Sequence, residues 1–302
     1  MKPLTSPLAA LLALLTLTTA KHIMIPSTSF NSQTDFDADW NYLYPWGSDH
    51  NGAARMAKSQ ATLSAGVLTL TAKPVSGEKP ATHGGKQIPI HYISGAVHAK
   101  EHFNVSRGGG YDFAGEFRVT TTKGTWPAFW LTAVQGWPPE VDMAEWKGSG
   151  KISFNTFNTS SVVRARDVAY PSPGEFHKIL CEVRDENGRD VSVRFTMDGK
   201  VVETQYGKDF VGKPLYLIIN LQMEGSSGSP GPSQGEFGRA SERERERERA
   251  NLFGRHAVPG AERRGLELQL MMTDLLGRDL GITRYFPRIH VHHQVLIMDE
   301  VP

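Results

Sequence analysis

The chain has 302 residues, enough for one large all-β domain or two small ones, and its 39% hydrophobic, 22% charged composition is that of a soluble globular protein. A formal net charge of +1 offers no basic face of the kind that binds nucleic acid or an acidic polymer, so a neutral substrate fits better.

Met1 and Lys2 make a short positive start, Leu8 to Leu17 reads LAALLALLTL, and Thr18-Thr19-Ala20 puts small residues where a signal peptidase cleaves. The apolar run is about half the length of a bilayer span. Residues 1–20 are therefore expected to be a secretory signal, with a mature, extracellular chain starting near Lys21.

From about Ser27 to Gln234 the pattern is period-two alternation broken by Gly, Pro and Asn clusters, with no long amphipathic helix. Leu68, Leu70 and Ala72 alternate with Thr69 and Thr71. Phe113, Gly115, Phe117 and Val119 alternate with Ala114, Glu116, Arg118 and Thr120. Val191, Val193, Phe195 and Met197 alternate with Ser192, Arg194 and Thr196, and Asp198-Gly199 then supplies a two-residue hairpin turn before Val201-Val202. So many short strands predict an all-β fold of two packed antiparallel sheets, a β-jelly-roll sandwich. Cys181, the one cysteine, leaves no internal disulfide; in Ile179-Leu-Cys181-Glu-Val183 it reads as a buried small hydrophobe. Asn104-Val-Ser106 and Asn158-Thr-Ser160 are sequons compatible with secretion.

The chemistry is carried by Glu140-Val-Asp142-Met-Ala-Glu145. Two carboxylates two residues apart project from one face of a strand. Glu145 breaks that parity and can share the face only if a bulge absorbs one residue between Asp142 and Glu145. Cleaving a β-glycosidic bond with retention needs two carboxyl groups about 5 to 5.5 Å apart, which neighbouring strand positions can provide. Ionised Glu140 and Asp142 would disfavour a third charge and keep Glu145 protonated for acid catalysis, while Asp142 could hydrogen-bond Glu140. Trp126, Trp130, Trp137 and Trp146 surround the carboxylates, and indole faces stack on pyranose rings. Core packing is the competing role for each of them; Trp137 and Trp146, which adjoin the carboxylates, are the favoured sugar contacts.

The segment Gly124-Thr-Trp126-Pro-Ala-Phe-Trp130 followed by the carboxylate run resembles glycoside hydrolase family 16, particularly its fungal secreted members with the bulged motif. Tyr92-Ile-Ser94-Gly95 and Tyr216-Leu-Ile-Ile-Asn220-Leu-Gln222-Met-Glu-Gly225 are further matches, and the likeness spans about residues 30–234. It implies a jelly roll of the concanavalin A-like lectin and glucanase type with an open cleft, Glu140 as nucleophile, Asp142 as its assistant and Glu145 as acid/base. Asn220 and Gln222 fall where the family lines its cleft, and alternation puts them on one face. The implied activity is endo-hydrolysis of β-1,3 or β-1,3-1,4 glucan by a monomer acting on polysaccharide, with no cofactor or metal, no nucleic-acid partner and no membrane contact once the signal is cleaved. A structural calcium is not indicated. A cell-wall transglycosylase and a non-catalytic lectin-like domain are the alternatives.

After Gln234 the text changes. The preceding part holds 14 Lys and 8 Arg, whereas residues 235–302 hold 11 Arg and no Lys, and Ser241 to Ala250 reads SERERERERA. An AG-dinucleotide repeat translates as Arg-Glu-Arg-Glu, and Gly235-Glu-Phe237 can be encoded with GTGAGT, a common intron donor. The pattern points to retained intron or frame-shifted read-through in place of one further strand that the family carries. On that reading residues 235–302 should add no strand to the sandwich.

Overall fold

Alternation in the sequence becomes burial in the strands. In Val67–Pro74, Leu68, Leu70 and Ala72 are buried and the two threonines between them half-exposed; in His177–Asp185 the same period buries His177, Ile179, Cys181 and Val183. The structure, a computed structural model, describes residues 21–223, 266–272 and 275–278. The predicted secretory signal lies outside these residues. No helix among them is long and apolar enough to cross a membrane.

Two large sheets carry the fold. The first runs in the order Lys200–Gly207, Val191–Met197, His177–Asp185, Gly110–Val119, Leu266–Met272, Val67–Pro74, Tyr92–Ser94, Ala54–Met56. The second runs Val162–Ala169, Lys151–Thr159, Glu140–Trp146, Thr125–Ala133, Pro214–Met223, Ala96–Ala99, Trp40–Tyr42. Nearly every pairing is antiparallel; Ala54–Met56 with Tyr92–Ser94 is parallel. Asp198 and Gly199 both take positive φ, 49° and 75°, which is the turn that lets Val191–Met197 fold back onto Lys200–Gly207. The core lies between the sheets. Phe117 and Phe195 of the first meet Phe129, Trp146 and Phe154 of the second, with ring centroids 5.0 to 5.7 Å apart. Two motifs noted in the sequence meet here as well: Ser94 Oγ donates to the Leu221 carbonyl at 2.6 Å, and Leu221 N donates to the Gly95 carbonyl at 3.0 Å. That contact ties the two sheets together at the Pro214–Met223 strand.

One expectation is corrected. Leu266–Met272 is inserted in the middle of the first sheet, antiparallel to Val67–Pro74 on one side and Gly110–Val119 on the other. Leu275–Arg278 continues the same ladder against Gly110–Asp112 and pairs with Lys21–Ile25. The physical reason is local: Leu266, Leu268, Leu270 and Met272 alternate in sequence, and a sheet selects period and register rather than lysine content. Leu270 opposes both Phe117 and Leu68 and is completely buried. The Glu-Arg repeat lies outside the described residues.

If this strand completes the sheet, Leu270→Ala should cost about 2–5 kcal/mol, read as a lower urea midpoint at unchanged slope. A chain ending at Gln234 should expose two unpaired strand edges and precipitate. Wild-type stability in both would show that the segment is dispensable.

Candidate active site

Glu140–Trp146 is paired on both sides, and both ladders slip at the same place. Against Thr125–Ala133, Asp142 faces Trp130 while Ala144 faces Phe129; against Lys151–Thr159, Asp142 faces Asn155 while Glu145 faces Ser153. The predicted bulge is therefore present, and Met143 and Ala144 both join the buried core. Beyond it the parity is reset. Glu140, Asp142, Glu145 and Lys147 all line one cleft of about 890 Å³ over the outer face of the second sheet.

The hydrogen bonds divide the carboxylates by environment. Glu140 accepts from Trp137 Nε1 at 2.9 Å and from the Thr132 hydroxyl. Asp142 accepts from Asn155 Nδ2 at 2.8 Å. Glu145 accepts from Trp126 Nε1, from the same Asn155 nitrogen at 3.1 Å, and forms an ion pair with Lys147 Nζ at 2.7 Å. Burial pushes Glu140 up to about 7, opposed by the Trp137 hydrogen bond and reinforced by the charge of Glu145. Asp142 is raised well above the usual carboxylate range by burial and by the charges of Glu145 and Glu140, against the Asn155 hydrogen bond. The sequence expectation placed the extra proton on Glu145. Three donors meet on Glu145, while burial and the two neighbouring carboxyl groups favour the protonated form of Asp142, which the sequence reading counts as ionised.

The aromatic residues separate as well. Trp126 and Trp130 line the cleft, and Trp130 Nε1 donates to Asn220 Oδ1 at 2.8 Å. Trp137 also lines the cleft, 46% exposed and packed on Phe157. Trp146, expected at the sugar, is corrected to the core: it is fully buried between Phe117 and Tyr170, because the bulge that turns Glu145 outward turns its successor inward. Asn220 and Gln222 do share the cleft face, but Gln222 is a clamp rather than a free ligand. Its amide accepts from Ala54 N at 2.9 Å and donates to the Ala54 carbonyl at 3.2 Å and Tyr44 Oη at 3.4 Å. Asn220 is likewise engaged, donating to the Trp126 carbonyl at 3.4 Å.

Several cleft residues carry no signal in the sequence. Tyr44 and Trp46 stack at 5.2 Å, His50 stacks on Trp130 at 5.8 Å, and His83 meets the edge of His50 at 5.4 Å. Burial and the neighbouring His83 lower His50 to about 4, so the His50 ring is uncharged at neutral pH. Thr132 and Asn155 reach the carboxylates only through strand register. Lys147 was readable: two residues beyond Glu145, it shares that residue's face once the bulge is allowed. Among the described residues no cluster of three or more His, Cys, Asp or Glu is placed to hold a metal ion.

Two outcomes follow from this geometry. Trp146→Ala should lose about 3–5 kcal/mol of stability, whereas Trp137→Ala should melt like the parent and lose activity; the reverse pattern would invalidate the two placements. Asp142 binds its proton more tightly folded than unfolded, so the stability it contributes is full below about pH 3.9 and is lost as pH rises toward its folded value. Asp142→Asn removes that loss. Its melting temperature relative to the parent should climb as pH rises above about 4, and a constant difference would mean that Asp142 does not bind its proton more tightly in the folded state.

No protein-family model matches the chain. A galactan endo-beta-1,3-galactanase of Flammulina velutipes is 53% identical over 212 residues, which cover 70% of this chain and 84% of that protein. The endo-1,3-1,4-beta-glycanase EglC of Rhizobium meliloti (strain 1021) is 30% identical over 173 residues, 55% of this chain but only 34% of the relative's length. Among solved structures, the endo-1,3-beta-glucanase of Streptomyces sioyaensis superposes with a TM-score of 0.56 at 18% identity, covering 81% of this chain and 91% of that one, which shows the same jelly-roll fold. With the bulged carboxylate strand, the cleft and these likenesses in place, the chain belongs to glycoside hydrolase family 16 and is an endo-acting β-glycosidase.

Proposed function

We propose that the protein is a secreted, monomeric, retaining endo-β-1,3-galactanase in which Glu140 is the nucleophile and Glu145 the general acid/base. The observation that carries the mechanism is the convergence of Glu140, Asp142 and Glu145 on one open, aromatic-lined cleft through a single bulge. Ionised Glu140 attacks the anomeric carbon, the glycosidic bond breaks, and Glu145 gives its proton to the departing oxygen. Water then enters, loses a proton to Glu145, and releases the sugar from Glu140 with its configuration retained. Burial disfavours the ionised form of Asp142, which limits the negative charge set beside the ionised nucleophile. Secretion rests on the signal-like start of the sequence, Met1-Lys2 followed by Leu8 to Leu17.

Galactan is favoured as substrate by the 53% identical relative, whose match covers 70% of this chain and 84% of that protein. Glucan is the second reading and rests on the more distant endo-1,3-1,4-beta-glycanase. Galactose and glucose differ only at C4, so one or two polar contacts in the cleft decide between them. Reducing-end release from β-1,3-galactan, laminarin, lichenan, agarose and chitin-glucan separates the readings, with galactan expected to be cut fastest. Faster cleavage of laminarin would make the protein a glucanase. Longer products formed with an added oligosaccharide acceptor would make it a transglycosylase.

Glu140→Ala should abolish turnover in a folded protein, and azide should restore cleavage of an activated glycoside with inverted product. Glu145→Ala should lose about 10²- to 10⁴-fold on polysaccharide and far less on a substrate whose leaving group needs no proton. Equal loss on both substrates would remove Glu145 from the acid role.

A further inference from the structure

The surroundings of Glu145 are chemically one-sided. Trp126 Nε1, Asn155 Nδ2 and Lys147 Nζ all donate, and an indole N–H and an ammonium have no acceptor to offer. The protein thus presents Glu145 as a proton acceptor. Glu140 and Asp142 face it along its own strand, and across the sheet Asp167 on Val162–Ala169 adds a further acidic group near Lys147. Lys147 is the one lysine or arginine lining the cleft among the described residues.

Its position is built rather than incidental. Trp146, immediately before it, is anchored in the core. Gly148, immediately after it, takes φ +65° against the Thr122–Gly124 turn, where an added Cβ would meet Lys123 Cα and the Thr122 carbonyl at 2.6 Å. The backbone on both sides of Lys147 is pinned, and a long side chain held at both flanks can keep a single charge against Glu145.

We propose that Lys147 is a positioning residue for the acid/base, its ammonium stabilising the Glu145 carboxylate that leaves the first chemical step and acts as base in the second. This deepens the reading of Glu145 given above and rests on it. In the first step Glu145 loses its proton to the departing oxygen beside two other carboxyl groups; in the second it must take a proton from water. A cation 2.7 Å away favours the ionised form at both moments.

The test is the pH profile of kcat/KM for the wild type, Lys147→Met, Lys147→Gln and Lys147→Arg, using the polymer the wild type degrades best. In Lys147→Met and Lys147→Gln the alkaline limb should move up by about one to three pH units and kcat fall about tenfold or more, with a smaller upward move of the acid limb because the Lys147 charge also lowers Glu140 from farther away. Lys147→Arg should return the limb toward wild type. With a dinitrophenyl glycoside, whose first step needs no proton, Lys147→Met should accumulate glycosyl-enzyme, seen as a larger burst of nitrophenolate. Superimposable profiles, a uniform loss at every pH, or a limb moved downward would overturn the proposal. Glu145→Ala run in parallel keeps the two readings apart: full activity there would sink the acid/base assignment itself, whereas an inert Glu145→Ala with unmoved lysine profiles sinks only the role of Lys147.

Discussion

The site depends on one inserted residue. Between Asp142 and Glu145 the Glu140–Trp146 strand carries three steps where its neighbour carries two, and this offset decides which side chains see solvent. Without it Glu145 would enter the core and Trp146 the cleft, because a slip of one residue reverses every face beyond it. With it, Glu145 and Lys147 face substrate, while Trp146 packs between Phe117 and Tyr170. A buried indole of that size is costly to expose, so core packing holds the bulge in register. The energy that fixes the acid/base is hydrophobic, although the group it fixes is polar.

The electrostatic cost of the arrangement is carried by the same strand. Three carboxyl groups at or near burial cannot all be charged without mutual repulsion and loss of hydration. The cleft resolves this unequally: one lysine, one asparagine and one indole serve Glu145, an indole and a hydroxyl serve Glu140, and Asp142, with only the shared asparagine, is raised furthest toward its protonated form by burial. Stability is sacrificed at a site where chemistry needs groups of opposed protonation in close quarters, a trade expected of active sites.

Much of this was legible in the sequence because it depends on parity. The jelly roll, the buried Cys181, the hairpin at Asp198-Gly199 and the shared face of Glu140 and Asp142 all follow from period two, and the bulge follows from the misfit of Glu145. What was not legible depends on register or on loops. Thr132 and Asn155 act across strands, and Tyr44, Trp46, His50 and His83 arrive from segments whose local sequence says nothing about the cleft. Trp146 departs from its expected place because strand parity, not proximity to the carboxylates, decides which face a residue takes. Gln222 was placed on the correct face but with the wrong partner, since side-chain clamps to a distant backbone such as Ala54 have no sequence signature.

The strand at Leu266–Met272 was missed for a different reason, and its position ties the unusual segment to the active site. Composition separated residues 235–302 from the rest of the chain, yet a ladder is made by backbone groups and asks of a segment only extended geometry, alternation and a place to pair. Leu270 is opposite Phe117 in that ladder, its side chain comes close to Gly115, and Phe117 packs on Trp146 at 5.7 Å. Trp146 in turn stands between Glu145 and Lys147 in the chain. A continuous line of packed apolar groups therefore leads from the inserted strand, through the core, to the backbone that carries the acid/base and its lysine. Loosening the strand would relax Phe117 first and the register of the bulge next. The packing of Leu270 is thereby made a condition for the geometry of the carboxylates in the cleft.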